Sequence, residues 1–282
     1  MAAMQELIKE IKKLKPIPSI VNQIIDIVDK PDSSMKDIAK IIKYDPAVTA
    51  NLLKVCNSAY FGLREPAESV KDAVSLLGID QIVELVLMKS GASIMTGKHK
   101  GYGFVEGAMW KYSVSSALIA KQIATRLSRN NINTIFTASL LKDIGKTVLD
   151  KFVADSFEKI NALVLNQNMS FIEAEKKVIG VDHAEIGAMI AKIWKFSPNM
   201  VNIIRSHHIK ESAMCENHDI AIVYFADCIC MMLGIGVGAD GLAYRFHREA
   251  MDELGITADE MPEIIIEFSE NMQKVEELLS IV

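Results

Sequence analysis

Apolar residues recur at intervals of three and four along nearly the whole of this sequence, and no convincing run alternates apolar with polar. Ile20, Val21, Ile24, Ile25 and Val28 form one such stripe. A period near 3.6 buries one face of an α-helix, whereas a half-buried strand needs a period of two. The pattern therefore excludes a sheet-based fold and predicts an all-α protein. Half of the residues are hydrophobic and 24% are charged, a composition that can bury a core.

Breakers divide the stripes into elements. Helix one covers the amphipathic start, Met1–Leu14. Pro16 and Pro18 separate it from a second helix, Ser19–Lys30, which Pro31 stops. Ser34 is an N-cap candidate, with Asp37 in the first turn of a third helix ending before Pro46. Pro46 suits the first position of a fourth, running to Tyr60 before Phe61-Gly62. Val70–Leu77 makes a fifth with Gly78 as its stop, and Asp80 caps a sixth that reaches Met95. Helices are then expected over about 104–128, 132–150, 155–166, 170–179, 183–195, 198–209, 218–233, 239–254 and 260–280. Between the two sets lies Thr96–Gly103, with three glycines in eight residues and no periodicity. It divides the chain into an N-terminal bundle, 1–97, and a second helical subdomain, 104–282.

Charge and targeting features narrow the function classes. A net charge of −5 argues against broad electrostatic binding of nucleic acid. Lys9, Lys12, Lys13 and Lys15 read as the solvated face of the first helix. No signal peptide opens the chain, and Cys56, Cys215, Cys228 and Cys230 lack C-x-x-C spacing. Both features point to reduced thiols in the cytoplasm. Ile220–Gly238 is almost continuously apolar, but Asp227 near its middle costs about 2.5–3.5 kcal/mol in a bilayer. A buried helix followed by a glycine turn is expected there, and no membrane partner. No phosphate-cradling loop, dinucleotide fingerprint or nucleophile elbow occurs.

Several short segments occur in a recognisable order. They are Leu14–Pro18, Asp45–Thr49, Asn57–Gly62, Val70–Val74 and Leu76–Gly78, followed by Met109–Ser113, Leu140–Lys146, Gly180–Gly187 and Ser206–His208. Together they resemble the HDOD family, bacterial signal-output domains related to HD and HD-GYP phosphohydrolases, over about residues 7–255. The resemblance implies an all-α fold with an HD-like second subdomain. It also implies a regulatory role in signal transduction, exerted through a protein partner, more often than catalysis. No receiver segment precedes the domain, so it reads as a stand-alone version with no assigned catalytic residue.

In the related hydrolases, clustered His and Asp side chains hold divalent metal. Here the first histidine position corresponds to Tyr112, and the histidine of the HD pair to Lys142, while its aspartate survives as Asp143. An ammonium has three donors and no acceptor, so Lys142 cannot ligate a metal. It is expected to serve instead as the counter-charge to Asp143 and Asp227; the alternative is that Lys142 and Lys146 point to solvent. The surviving ligand set implied by the resemblance is Asp143, His183, His207, His208 and Asp227, suited to Zn, Mn or Fe. The alternatives are a packed His183 behind an Asp182 cap, His207 and His208 closing a helix C-terminus, and Asp227 bonded to a helix end. Two enzymatic or sensory readings remain beside the regulatory one. One is a residual metal-dependent phosphodiesterase or phosphatase; the other is a sensor holding a phosphorylated ligand at Lys142 and Lys146. Asn57–Leu63 reads as core with a glycine turn or as an aromatic docking surface, and Trp110 and Trp194 as core.

Overall fold

A computed structural model describes residues 2–14, 23–24, 35–43, 45–58, 60–209, 216–243 and 247–270, with 272, 276 and 279. The predicted helix at Ser19–Lys30 lies almost wholly outside these residues, as do the Ser34 cap, Lys15 and Cys215. The described residues are all-α, with no strand among them. The helices are α1 Ala2–Lys13, α2 Met35–Ile42, α3 Pro46–Cys56, α4 Val70–Leu77 and α5 Ile79–Met95. They continue with α6 Ala108–Arg126, α7 Ile132–Leu141, α8 Gly145–Gln167, α9 Phe171–Ile179, α10 His183–Ile193 and α11 Pro198–Ser206. The last three are α12 His218–Met232, α13 Arg248–Leu254 and α14 Glu260–Glu270.

Several boundaries differ from the sequence expectation, each for a local reason. Helix α3 stops at Cys56 because the Asn57 side chain turns away to clamp a later loop. Its amide donates to Ala67 O at 3.0 Å, and its carbonyl accepts from Ala67 N at 2.7 Å. Asp80 is in the first turn of α5 and is not its cap; Gly78, at φ +81, ends α4 and begins α5. The stretch 155–166 is no separate helix, since α8 runs unbroken through 150–155, which contains no breaker. The break falls instead at 142–144. The amides of Ile144, Lys146 and Thr147 each bond three residues back, tightening the chain into a turn. The expected 239–254 helix is a 3₁₀ turn, Ala239–Ala243, followed by α13.

The core centres on α6, α7 and α12, which pack on one another. Every residue of α12 from Asp219 to Cys230 is buried, which explains its continuous apolar run without a membrane. Among the described residues no helix is long and apolar enough to cross one. Gly234 and Gly236 then take positive φ in the turn after it. Segment 96–103 is built into this body. Lys100–Tyr102 forms a 3₁₀ turn against α8, the Gly101 amide donates to Asp150 at 2.8 Å, and Tyr102 is fully buried. Trp110 and Trp194 are core residues, and α5 packs on α6 and α7.

Candidate metal and ion-pair site

The turn at 142–144 determines the site. It directs Lys142, Asp143 and, one step into α8, Lys146 inward together, all at most 1% exposed. Close approach of α8 to α10 needs glycine, because a Cβ on Gly145 would overlap the His183 carbonyl oxygen. That contact sets the start of α10 beside Asp143. Asp182 caps this start, as the sequence suggested, and completes a capping box with Glu185; His183 is the first helical residue. His207 ends α11 and His208 follows it, their rings 4.2 Å apart between centroids. Tyr112 comes from α6, Asp227 from α12 and Asp240 from the 3₁₀ turn.

One half of the site is a chain of ion pairs. The Lys142 ammonium lies 2.5 Å from Asp143 Oδ2 and 2.8 Å from Asp227 Oδ1. Lys146 lies 2.8 Å from Asp143 Oδ1 and 2.5 Å from Asp240 Oδ2. The Tyr112 hydroxyl donates to Asp227 Oδ1 at 2.6 Å, and its ring centroid stands 4.5 Å from the Lys142 ammonium. Neither lysine points to solvent. Burial works against the charge of Lys142, but Asp143 and Asp227 outweigh it and hold its pKa above the ordinary value. Burial likewise opposes ionisation of Asp143, yet Lys142, Lys146, His207 and His183 keep its carboxyl well below the usual range. A phosphorylated ligand at these lysines would have to displace a carboxylate already bound there.

The other half gathers imidazoles on Asp143. One donor atom from each of Asp143, His183, His207 and His208 lies within 4.8 Å of the others. His183 Nε2 is 3.7 Å and His207 Nε2 3.8 Å from Asp143 Oδ1, and His183 Nε2 is 2.9 Å from His208 Nε2. His207 Nδ1 is 2.7 Å from Ile204 O, which can only accept, so Nδ1 carries the proton and Nε2 a lone pair. That Nε2 is buried with no hydrogen-bond partner. Burial depresses His207 to about 4 and pushes His208 well below its ordinary value, so both rings are neutral near pH 7. Three imidazoles and a carboxylate with an unsatisfied lone pair among them fit a divalent ion. Asp227 stands outside this group, bonded to Lys142 and Tyr112.

Three buried residues of the site were not singled out from sequence: Glu175, Tyr102 and Asp240. Glu175 Oε2 accepts from both the backbone N–H and the ring Nδ1 of His183, each at 2.8 Å, and Tyr102 donates its hydroxyl to Oε1. Glu175 had a legible signal, because it falls in the apolar stripe of α9 with Phe171, Ile172 and Ala174. An acid in the buried stripe of a helix needs partners.

The described residues thus form an all-helical body with a His/Asp cluster at the joint of three helices. The HDOD domain model matches residues 14–210, and the chain belongs to the HDOD domain family. An uncharacterized protein of Treponema pallidum is 23% identical over 200 residues, covering 70% of this chain; the chain spans only 38% of that relative's length. Among solved structures, an HDOD domain protein of unknown function from Geobacter sulfurreducens superposes with a TM-score of 0.75. It is 23% identical and covers 99% of this chain and 96% of its own. A putative phosphohydrolase from Shewanella amazonensis gives 0.68 at 22% identity, over 98% and 97% of the two chains. A putative signal transduction protein from Marinobacter aquaeolei gives 0.77 at 20%, over 99% of this chain and 65% of its own. At these identities the likeness concerns the fold.

Proposed function

We propose that this chain is a regulatory module that acts through protein contacts, built on a phosphohydrolase scaffold whose first metal position has been given over to lysine. The observation that carries this reading is the Lys142 ammonium lodged between Asp143 and Asp227. A cation there supplies the counter-charge that a metal would otherwise bring, and it blocks the approach of a second cation. Tyr112 supports the same reading, because it donates to Asp227 where a ligand would have to present a lone pair. The test is turnover of a phosphodiester probe with added Mn, Fe or Zn. No metal-dependent hydrolysis is expected; hydrolysis abolished by Asp143→Ala overturns the reading. The companion test is Lys142→His, which should take up more Mn or Fe than the parent protein, and equal uptake counts against a disabled site.

A second reading, that the remaining half holds an ion, has its own support in the partnerless Nε2 of His207 facing Asp143. The ligands would be Asp143, His183, His207 and His208. A divalent ion bound there would act as a Lewis acid and acidify a bound water. Elemental analysis of protein purified without chelator tests this: stoichiometric Zn, Mn or Fe is expected, and metal-free protein that binds none on addition refutes it.

A further inference from the structure

We infer that Glu175, braced by Tyr102, is a positioning residue that holds the His183 ring with Nε2 turned into the Asp143–His207–His208 cluster. The inference rests on the second reading above and goes beyond it, since it assigns a role to two residues that do not touch the ion position.

Glu175 sits on α9, fully buried, and one of its two oxygens is directed wholly at His183. Oε2 receives both the main-chain N–H and the ring Nδ1 of His183, at 2.8 Å each. An ionised carboxylate can only accept, so Nδ1 must donate. Nε2 is then the nitrogen left to face Asp143 and the other two imidazoles. Gripping the backbone and the ring of the same residue at one oxygen fixes the ring's rotation as well as its tautomer. The grip also sits at the first turn of α10, where a carboxylate is favoured by the free N–H groups.

Tyr102 fixes the second carboxylate oxygen. Its hydroxyl donates to Oε1, and its ring meets the His183 ring edge-on, with centroids 6.1 Å apart. Burial, followed by the charge of Glu175, raises its phenol well above the ordinary value, so it stays a donor. Histidine ligands whose far nitrogen is bound to a carboxylate are held in one orientation and are stronger bases towards metal. A purely structural Glu175–His183 ion pair would not require the pair of contacts from a single residue, nor a tyrosine on the remaining oxygen.

The experiment has two readouts on the full chain. Calorimetric titration with Zn²⁺ or Mn²⁺ alone reports affinity, and ¹⁵N chemical shifts of His183 report which ring nitrogen carries the proton in the neutral ring. The parent is expected to bind one equivalent with His183 protonated on Nδ1. Affinity should fall about 10–100-fold in Glu175→Ala, with the His183 tautomer becoming mixed, and Glu175→Gln, which keeps an acceptor, should restore the tautomer. Tyr102→Phe should lie between Glu175→Ala and the parent, and it carries the test alone if Glu175→Ala does not fold. If the parent binds no metal, the metal reading fails, and the tautomer shift in Glu175→Ala still decides the positioning role. An unchanged tautomer and unchanged affinity in the folded variants overturn the inference.

Discussion

Asp143 and Asp227, 84 positions apart in the chain, share one cation: the Lys142 ammonium, 2.5 Å from the first and 2.8 Å from the second. All three side chains are at most 2% exposed, so water screens none of them. Lys142→Met keeps the length of the side chain and removes its charge, so the buried Asp227 loses its ion pair while Asp143 keeps the one to Lys146. Breaking a buried pair in this way costs about 3–5 kcal/mol, read as a lowered midpoint in urea denaturation. Adding Asp227→Asn to Lys142→Met should recover part of that loss, because the carboxylate that lost its ion pair no longer carries a charge. Simple additivity of the two changes would mean that the residues are not coupled.

The same network sets an acid limb to stability. The Asp143 carboxyl is held well below its ordinary value, so it contributes stability that is complete above the unfolded value, about 3.9. Below that value the unfolded chain takes up a proton that the folded chain refuses, and stability falls as pH drops towards the folded value. Asp143→Asn should flatten the dependence of unfolding free energy on pH in this acid window. The readout is the slope and not the absolute stability, which the variant lowers for other reasons. An unchanged slope would show that other carboxylates dominate the limb.

How much of this could be read from the chain depended on the range of the interaction. Helices such as Val70–Leu77 were legible because the stripe and the Gly78 stop lie within nine residues. The Asp182 cap was legible for the same reason. The turn at 142–144 was not, because nothing local breaks that stretch; it depends on the close approach of Gly145 to His183, 38 residues away in sequence. The expectation that Lys142 meets Asp143 and Asp227 came from the family resemblance, not from periodicity. Its partner Lys146 reaching Asp240 was invisible, since Asp240 lies in a short 3₁₀ turn without pattern. Glu175 stood in plain view as an acid in an apolar stripe, yet its partner could be identified only in three dimensions.

Gly145 tests the joint itself. A methyl group there would overlap the His183 carbonyl oxygen and come within 2.8 Å of the Gly187 amide, both of them backbone atoms that cannot rotate away. Gly145→Ala should therefore force α8 and α10 apart and destabilise the fold, by at least the 1–3 kcal/mol or so typical of overpacking. It should also perturb the His183, His207 and His208 NMR signals. Gly97→Ala is the control, since nothing lies within 4 Å of its added methyl, and its melting temperature should match that of the parent.

Glu84 gives the opposite sign of pH dependence from Asp143. It is buried on α5, ion-paired with Lys121 and bonded to Gln81, whose amide donates to Oε2 at 3.1 Å. Burial nonetheless dominates and raises its pKa, so the pairing with Lys121 does not recover the cost of desolvating the carboxylate. A raised carboxyl gives stability that is complete below the unfolded value, about 4.3, and is lost as pH rises through the folded value. At neutral pH the charged Glu84 is thus a net burden on the fold. Glu84→Gln keeps the shape and an acceptor for Lys121, which is partly exposed and can be solvated. The variant should be more stable than the parent at neutral pH, and the advantage should shrink as the pH is lowered through the acid range. Chemical denaturation at several pH values measures both. Equal stability at every pH would show that Lys121 compensates the buried charge in full.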